Sequence, residues 1–222
     1  MTRSRGSVEE RPVHTGEVAG SIPAGTTRLW RYPVVLHNIE VLSPMELMLL
    51  RVFQRQVADQ CKVTLHGVGL LNAGLQSGDQ DAIWIAVQVL LTGAANASKA
   101  LWGSGRNRDK ISVEREPLRR SLQVEDSSPL YDVSMRNNFE HYDERLDKWW
   151  RDSPNHNHLD RMVGSPDMVV GFDDLDRFRV YDQTTHDIVF WGERFNVQAI
   201  ATAVDELLPR AEAEANRPHW EN

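Results

Sequence analysis

The chain has 222 residues, enough for one domain or one domain with an appendage. Hydrophobic residues make up 41% and charged residues 26%, a balance that argues against wholesale disorder. The formal net charge of -7 and pI of about 5.6 exclude coating of nucleic acid through overall charge, though not a local basic patch. Cys61 is the single cysteine, so one chain can form neither an internal disulfide nor a zinc–thiolate cluster. This fits a reducing, cytoplasmic setting. No apolar run approaches the ~20 residues of a membrane span, and no apolar stretch follows the basic start Met1–Arg5, so neither a membrane anchor nor a secretory signal is expected.

Residues 1–28 show no helical or strand periodicity and are rich in Gly, Pro, Ser and Thr, so residues 1–41 are expected to be a poorly structured segment. Gly20-Ser21-Ile22-Pro23 can be encoded by GGT-TCG-ATT-CC, which contains the T-arm consensus of tRNA genes. Part of this segment is therefore expected to derive from a tRNA gene read through a misplaced start, with the true start near Val34, Val35 or Val41.

Ser43-Pro44-Met45-Glu46 predicts a helix start, with Ser43 as cap and Glu46 completing the capping box. Leu47, Leu50, Phe53, Val57, Cys61, Leu65 and Val68 recur at three and four along one face, while Gly67, Gly69 and Gly74 weaken the end of this helix. Ser77-Gly78-Asp79 opens a second helix to about Trp102, apolar almost all round from Ala82 to Leu91 and therefore central. A polar loop is expected over 103–116, then a short helix from Pro117 to about Val124. Ser127-Ser128-Pro129 predicts another long helix running to just before Pro154, with Tyr131, Met135, Phe139, Tyr142, Leu146 and Trp149 or Trp150 on its buried side. Phe178–Tyr181 and Ile188–Trp191 predict a β-hairpin, and Asn196 a cap for a last helix carrying Ile200, Val204, Leu207 and Leu208. The predicted fold is all-α: an up-and-down bundle over 42–214, a hairpin at about 177–192 and a tail at 215–222.

One segment carries chemistry: Met135-Arg136-Asn137-Asn138-Phe139-Glu140-His141-Tyr142. It contains Arg-x4-His with Asn directly after the Arg, and it resembles the HEPN family of all-α domains. The resemblance implies an up-and-down bundle that dimerises so that two motifs face each other. It implies a metal-independent endoribonuclease of a toxin or defence system, needing no cofactor, with Arg136, Asn137 and His141 catalytic. The segment Arg136–Trp150 is also similar to a set of bacterial proteins sharing this bundle, a likeness that spans roughly residues 42–208 and brings no activity of its own. Some HEPN toxins carry a Tyr two residues after the His that an antitoxin modifies; here that place is Asp143 and Tyr142 follows the His directly, so control by that modification is not implied. An antitoxin or other regulatory protein remains a partner of the kind such systems have.

The chemistry suits these residue types. Five helical residues turn through about 500°, leaving Arg136 and His141 roughly 140° apart, so they flank a shared interface more readily than they meet on one face. An imidazole titrating near pH ~6.5 takes a proton from a ribose 2′-OH and returns one to the leaving oxygen. A guanidinium stabilises the charge building on phosphoryl oxygens. The bland reading is an Arg136–Glu140 pair at i,i+4 and a solvated His141. The alternative function is a non-catalytic helical module that binds protein or RNA.

Six basic residues, Arg106, Arg108, Lys110, Arg115, Arg119 and Arg120, against three acidic ones, are candidate RNA-phosphate contacts. Gly103-Ser104-Gly105 lacks the spacing and Lys-Ser/Thr of a phosphate loop. His156-x-His158-x-Asp160 has ligand spacing but follows a helix-ending Pro, and no metal is expected. Trp149-Trp150 is expected to pack the end of the bundle, and Cys61 the core. Gly-x-Ser-x-Gly is missing.

Overall fold

A computed structural model describes residues 44–218 and 220. The expectations on residues 1–41 lie outside this range. The described residues are mostly helical, with seven α-helices and a small sheet near the C-terminus.

Helix α1 (Pro44–Ser77) and helix α2 (Gln80–Trp102) form a long hairpin. The turn is fixed by Gly78 at φ +69° and by Asp79, whose side chain accepts the Ala82 N–H at 3.1 Å. Of the three glycines expected to weaken α1, Gly67 and Gly74 instead set its packing, whereas Gly69 has nothing within 4 Å of a Cβ. A Cβ on Gly67 would lie 2.6 Å from Leu90 N, one on Gly93 2.5 Å from Thr64 Oγ1, and one on Gly74 3.0 Å from Ile83 N. These pairs run in opposite directions along the two helices, so the hairpin is antiparallel and closely seamed. Val57, Cys61 and Leu71 of α1 and Ile83, Val87, Leu90 and Leu101 of α2 fill the seam.

The stretch predicted as a polar loop is helical. A 3₁₀ turn at Gly105–Asn107 leads into α3 (Arg108–Glu114) and α4 (Glu116–Ser121). The overturned part is 105–114; α4 is the short helix expected from Pro117, anchored by buried Leu118 and Leu122 and by Arg119, which donates to the carbonyls of Leu101 and Ser112.

The long helix predicted from Pro129 to Asp152 is broken. A 3₁₀ turn (Pro129–Tyr131) precedes α5 (Ser134–Glu140), and α6 (Tyr142–Asp152) follows after His141, whose ψ of 37° leaves the helical region. Of the expected apolar stripe, Met135, Phe139, Tyr142, Leu146 and Trp149 turn inward, whereas Tyr131 is 42% exposed. Phe139 packs toward Trp84 of α2, whereas Tyr142 and Trp149 pack against Phe178 beside the sheet.

The sheet has four strands in the order β1 (Met162–Val163), β2 (Val180–Asp182), β3 (Asp187–Phe190) and β4 (Glu193–Asn196). The predicted hairpin is β2–β3, with Tyr181 opposite Ile188. β1 adds in parallel to β2 and β4 antiparallel to β3. Both are too short, and β4 too polar, to read as strands beforehand. Asn196 ends β4 and caps α7 (Val197–Ala215), accepting the Ala199 N–H at 2.7 Å. Ile200, Val204, Leu207 and Ala211 of α7 are buried. The last turn of α7 is tied to α1 by an Arg51–Glu214 ion pair at 3.2 Å. Among the described residues no helix is long and apolar enough to cross a membrane.

Candidate functional site

The corner between α5 and α6 places the motif. Asp132 accepts the Ser134 N–H at 2.8 Å and starts α5. The His141 N–H still donates to Asn137 O at 3.0 Å, but His141 then serves as the junction from which α6 departs. The corner is held by Asn138, which is buried: its Nδ2 donates to Glu193 of β4 at 2.9 Å, and its Oδ1 accepts Arg145 Nε at 3.0 Å. Asn138 therefore locks α5, α6 and the sheet edge together, a role its neighbour Asn137 does not share.

Arg136 is ion-paired with Glu140, and its Nη2 donates to Glu140 Oε1 at 2.7 Å. Both residues line a cavity of about 230 Å³ between α2 and α5, walled by Gln88, Leu91, Thr92 and Phe139. His141 does not line it. The His141 side chain is 49% exposed, with Nδ1 3.3 Å from Glu144 Oε1. Asn137 is half-buried. The three motif residues thus share one corner, but within the chain Arg136 and His141 are not paired with each other and each faces a carboxylate. Glu144 went unnoticed in the sequence; its signal was the i,i+3 spacing from His141.

The six basic residues of 106–120 do not converge. Arg119 is buried, donating to two carbonyls and pairing with Asp126 at 3.2 Å. Arg108 lies over the Tyr131 ring at 4.1 Å and donates to Tyr131 O. Arg115 lies over Phe53 at 3.5 Å, and its burial lowers its pKa. Lys110 pairs with Glu114 and Arg120 with Glu116 along their own helices. Arg106 is exposed and makes no ion pair among the described residues.

The His-x-His-x-Asp run is dispersed. His156 packs on Trp150, and His158 sits between Trp149 and Phe178. Asp160 is held by Arg179, whose Nε donates at 2.7 Å. Among the described residues no group of three or more His, Cys, Asp or Glu is placed to hold a metal ion. Tyr142 lies under Arg179 with its hydroxyl 3.4 Å from His158 Nε2, and burial is the main cause that pushes its phenol up to about 12. Trp149 donates to the buried Asp176 at 2.9 Å, as does Ser153 at 2.6 Å, so Trp149 packs the end of the fold as expected, whereas Trp150, expected to do the same, is 65% exposed.

No protein-family model matches the chain, and neither does any curated protein or solved structure.

Proposed function

We propose that the protein is a HEPN-like, metal-independent endoribonuclease that acts as a homodimer in a cytoplasmic toxin or defence system. His141 is the proton-transfer residue and Arg136 the phosphoryl stabiliser, with Asn137 beside them. The observation that carries this reading is an exposed imidazole, with Glu144 3.3 Å from its Nδ1, at the same corner as an Arg that opens onto a cavity. His141 takes the proton of a ribose 2′-OH, which attacks the adjacent phosphorus. The leaving 5′-oxygen receives a proton, and the product carries a 2′,3′-cyclic phosphate. Arg136 reaches the phosphate only when that phosphate displaces Glu140, because the guanidinium is already neutralised. A two-fold partner supplies the second Arg–His set, since one protomer leaves its own pair apart.

The Arg136–Glu140 pair also favours a second reading, in which the corner is a non-catalytic module binding protein or RNA. Incubation of a labelled RNA in EDTA with wild type, His141→Ala and Arg136→Ala separates the two. Cleavage to cyclic-phosphate ends, lost in both variants, is the expected result. A folded dimer that leaves the RNA intact at high concentration, or equal cleavage by all three proteins, overturns the enzyme.

A further inference from the structure

The end of α7 returns to the start of α1, and the two border a cavity of about 380 Å³, within the size range of small-molecule sites. Arg51, Arg55 and Arg217 line it, together with Met48, Val52 and Trp220. Two of the guanidiniums hold one carboxylate from either side: Arg51 Nη1 lies 3.2 Å from Glu214 Oε2, and Arg217 Nη1 3.3 Å from Glu214 Oε1. Arg55 Nη2 donates to Ala215 O at 3.2 Å. These contacts fix guanidiniums from both elements at one wall. For Arg55 and Arg217 they engage a single nitrogen, so each keeps donors without a partner among the described residues.

Charge decides the chemistry of the occupant. No carboxylate lines this cavity among the described residues: Glu46 stands outside it, and Asp59 and Glu212 line a separate one of about 120 Å³. Arg55 borders both cavities, while Lys62 holds Glu212 at 2.8 Å in the smaller. Three cations of the larger cavity thus touch one carboxylate, Glu214. The Ala215 carbonyl that Arg55 holds belongs to the end of α7 and offsets about half a charge. The wall keeps a surplus of roughly 1.5 positive charges. A carboxylate ligand brings one negative charge, whereas a phosphate monoester brings about 1.5 to 2 at pH 7 and suits the guanidinium fork. The rest of the lining is apolar and open, with Met48 58%, Val52 54% and Trp220 68% exposed. We propose that this cavity binds a small organic phosphate monoester, its phosphate held by the three arginines and its apolar body resting on Met48, Val52 and Trp220. The inference does not depend on the ribonuclease reading, because it rests on other side chains.

The test is isothermal titration of the full chain with adenosine 5′-monophosphate, beside inorganic phosphate and adenosine. The monophosphate is expected to bind about tenfold or more tightly than either, since each lacks half of the match. Arg55→Gln and Arg217→Gln are each expected to weaken it about five- to tenfold, and Trp220→Ala several-fold. Lys62→Gln, a cation of the neighbouring cavity, and His141→Ala are expected to leave its affinity unchanged. All these positions are exposed, so the variants fold, as circular dichroism will verify. No binding of the monophosphate, equal binding of phosphate or of adenosine, or unchanged affinity in either arginine variant overturns the proposal. So does weakening in Lys62→Gln or His141→Ala, which would mean general charge attraction or binding at the other site. Displacement of the monophosphate by an RNA oligonucleotide without terminal phosphates, at equal nucleotide concentration, overturns it too, because the source of the phosphate is then a nucleic-acid backbone.

Discussion

Gly93 of α2 and Thr64 of α1 meet so closely that a Cβ on the glycine would lie 2.5 Å from Thr64 Oγ1 and 2.8 Å from its backbone nitrogen. The backbone cannot move aside without opening the hairpin. Gly93→Ala is expected to cost about 1–3 kcal/mol through overpacking, and Gly67→Ala a similar amount against Leu90. Gly69 is exposed with nothing within 4 Å of a Cβ, so Gly69→Ala is expected to stabilise by up to about 1 kcal/mol through helix propensity. Urea unfolding of the three variants checks the opposite signs.

Glu140→Gln removes the partner of Arg136. The pair is partly solvated, so folding stability is expected to change by less than about 1 kcal/mol. Affinity for a labelled RNA is expected to rise several-fold as the guanidinium becomes available. Unchanged affinity in a filter-binding titration removes Arg136 as a phosphate contact.

Asp176 is fully buried, and its Oδ1 serves both Trp149 and Ser153, whereas its Oδ2 has no hydrogen-bond partner. Asp176→Ala leaves two donors unsatisfied and is expected to destabilise by about 2–4 kcal/mol. Asp176→Asn keeps one acceptor and is expected to cost less. Thermal melts followed by near-ultraviolet circular dichroism, which reports on Trp149, would contradict this account if the order reversed.

Burial alone pushes the Cys61 thiol from its ordinary 9.0 up to about 12. Tyr142 is raised from 10.0 to about 12, by burial first and Asp160 next. Both groups are acids held neutral by the fold. Their stabilisation is complete below the unfolded values, near 9 and 10, and is lost as pH climbs toward about 12. Stability by urea titration is expected to fall between pH 9 and 11. At pH 8 Cys61 is expected to resist iodoacetamide until denaturant is added.

Much of the helical frame was legible because its signals are local. Asp79 and Asn196 are caps whose side chains meet the expected N–H groups, and the apolar faces of α1, α2 and α7 follow from spacing alone. The break at His141 was not legible, since no Gly or Pro marks it. Tertiary contacts accompany it: Phe139 meets Trp84, Tyr142 meets Phe178, and both meet Phe190. The glycines of α1 were misread for a related reason: Gly67 looks like a helix breaker until Leu90 is seen beside it. At the candidate site, the Arg136–Glu140 contact was readable at i,i+4, but the lock by Asn138 needs Glu193, 55 residues away.

Arg51 and Glu214 are 163 positions apart, yet they share one part-buried ion pair. Arg51 leaves the ribosome long before its partner exists. The α1–α2 hairpin rests on contacts near in sequence and closes early, whereas α7 arrives last. Until then that guanidinium must keep its water, and the flank of α1 it occupies stays open. Incomplete chains thus display a wet, unsealed flank that finished molecules hide.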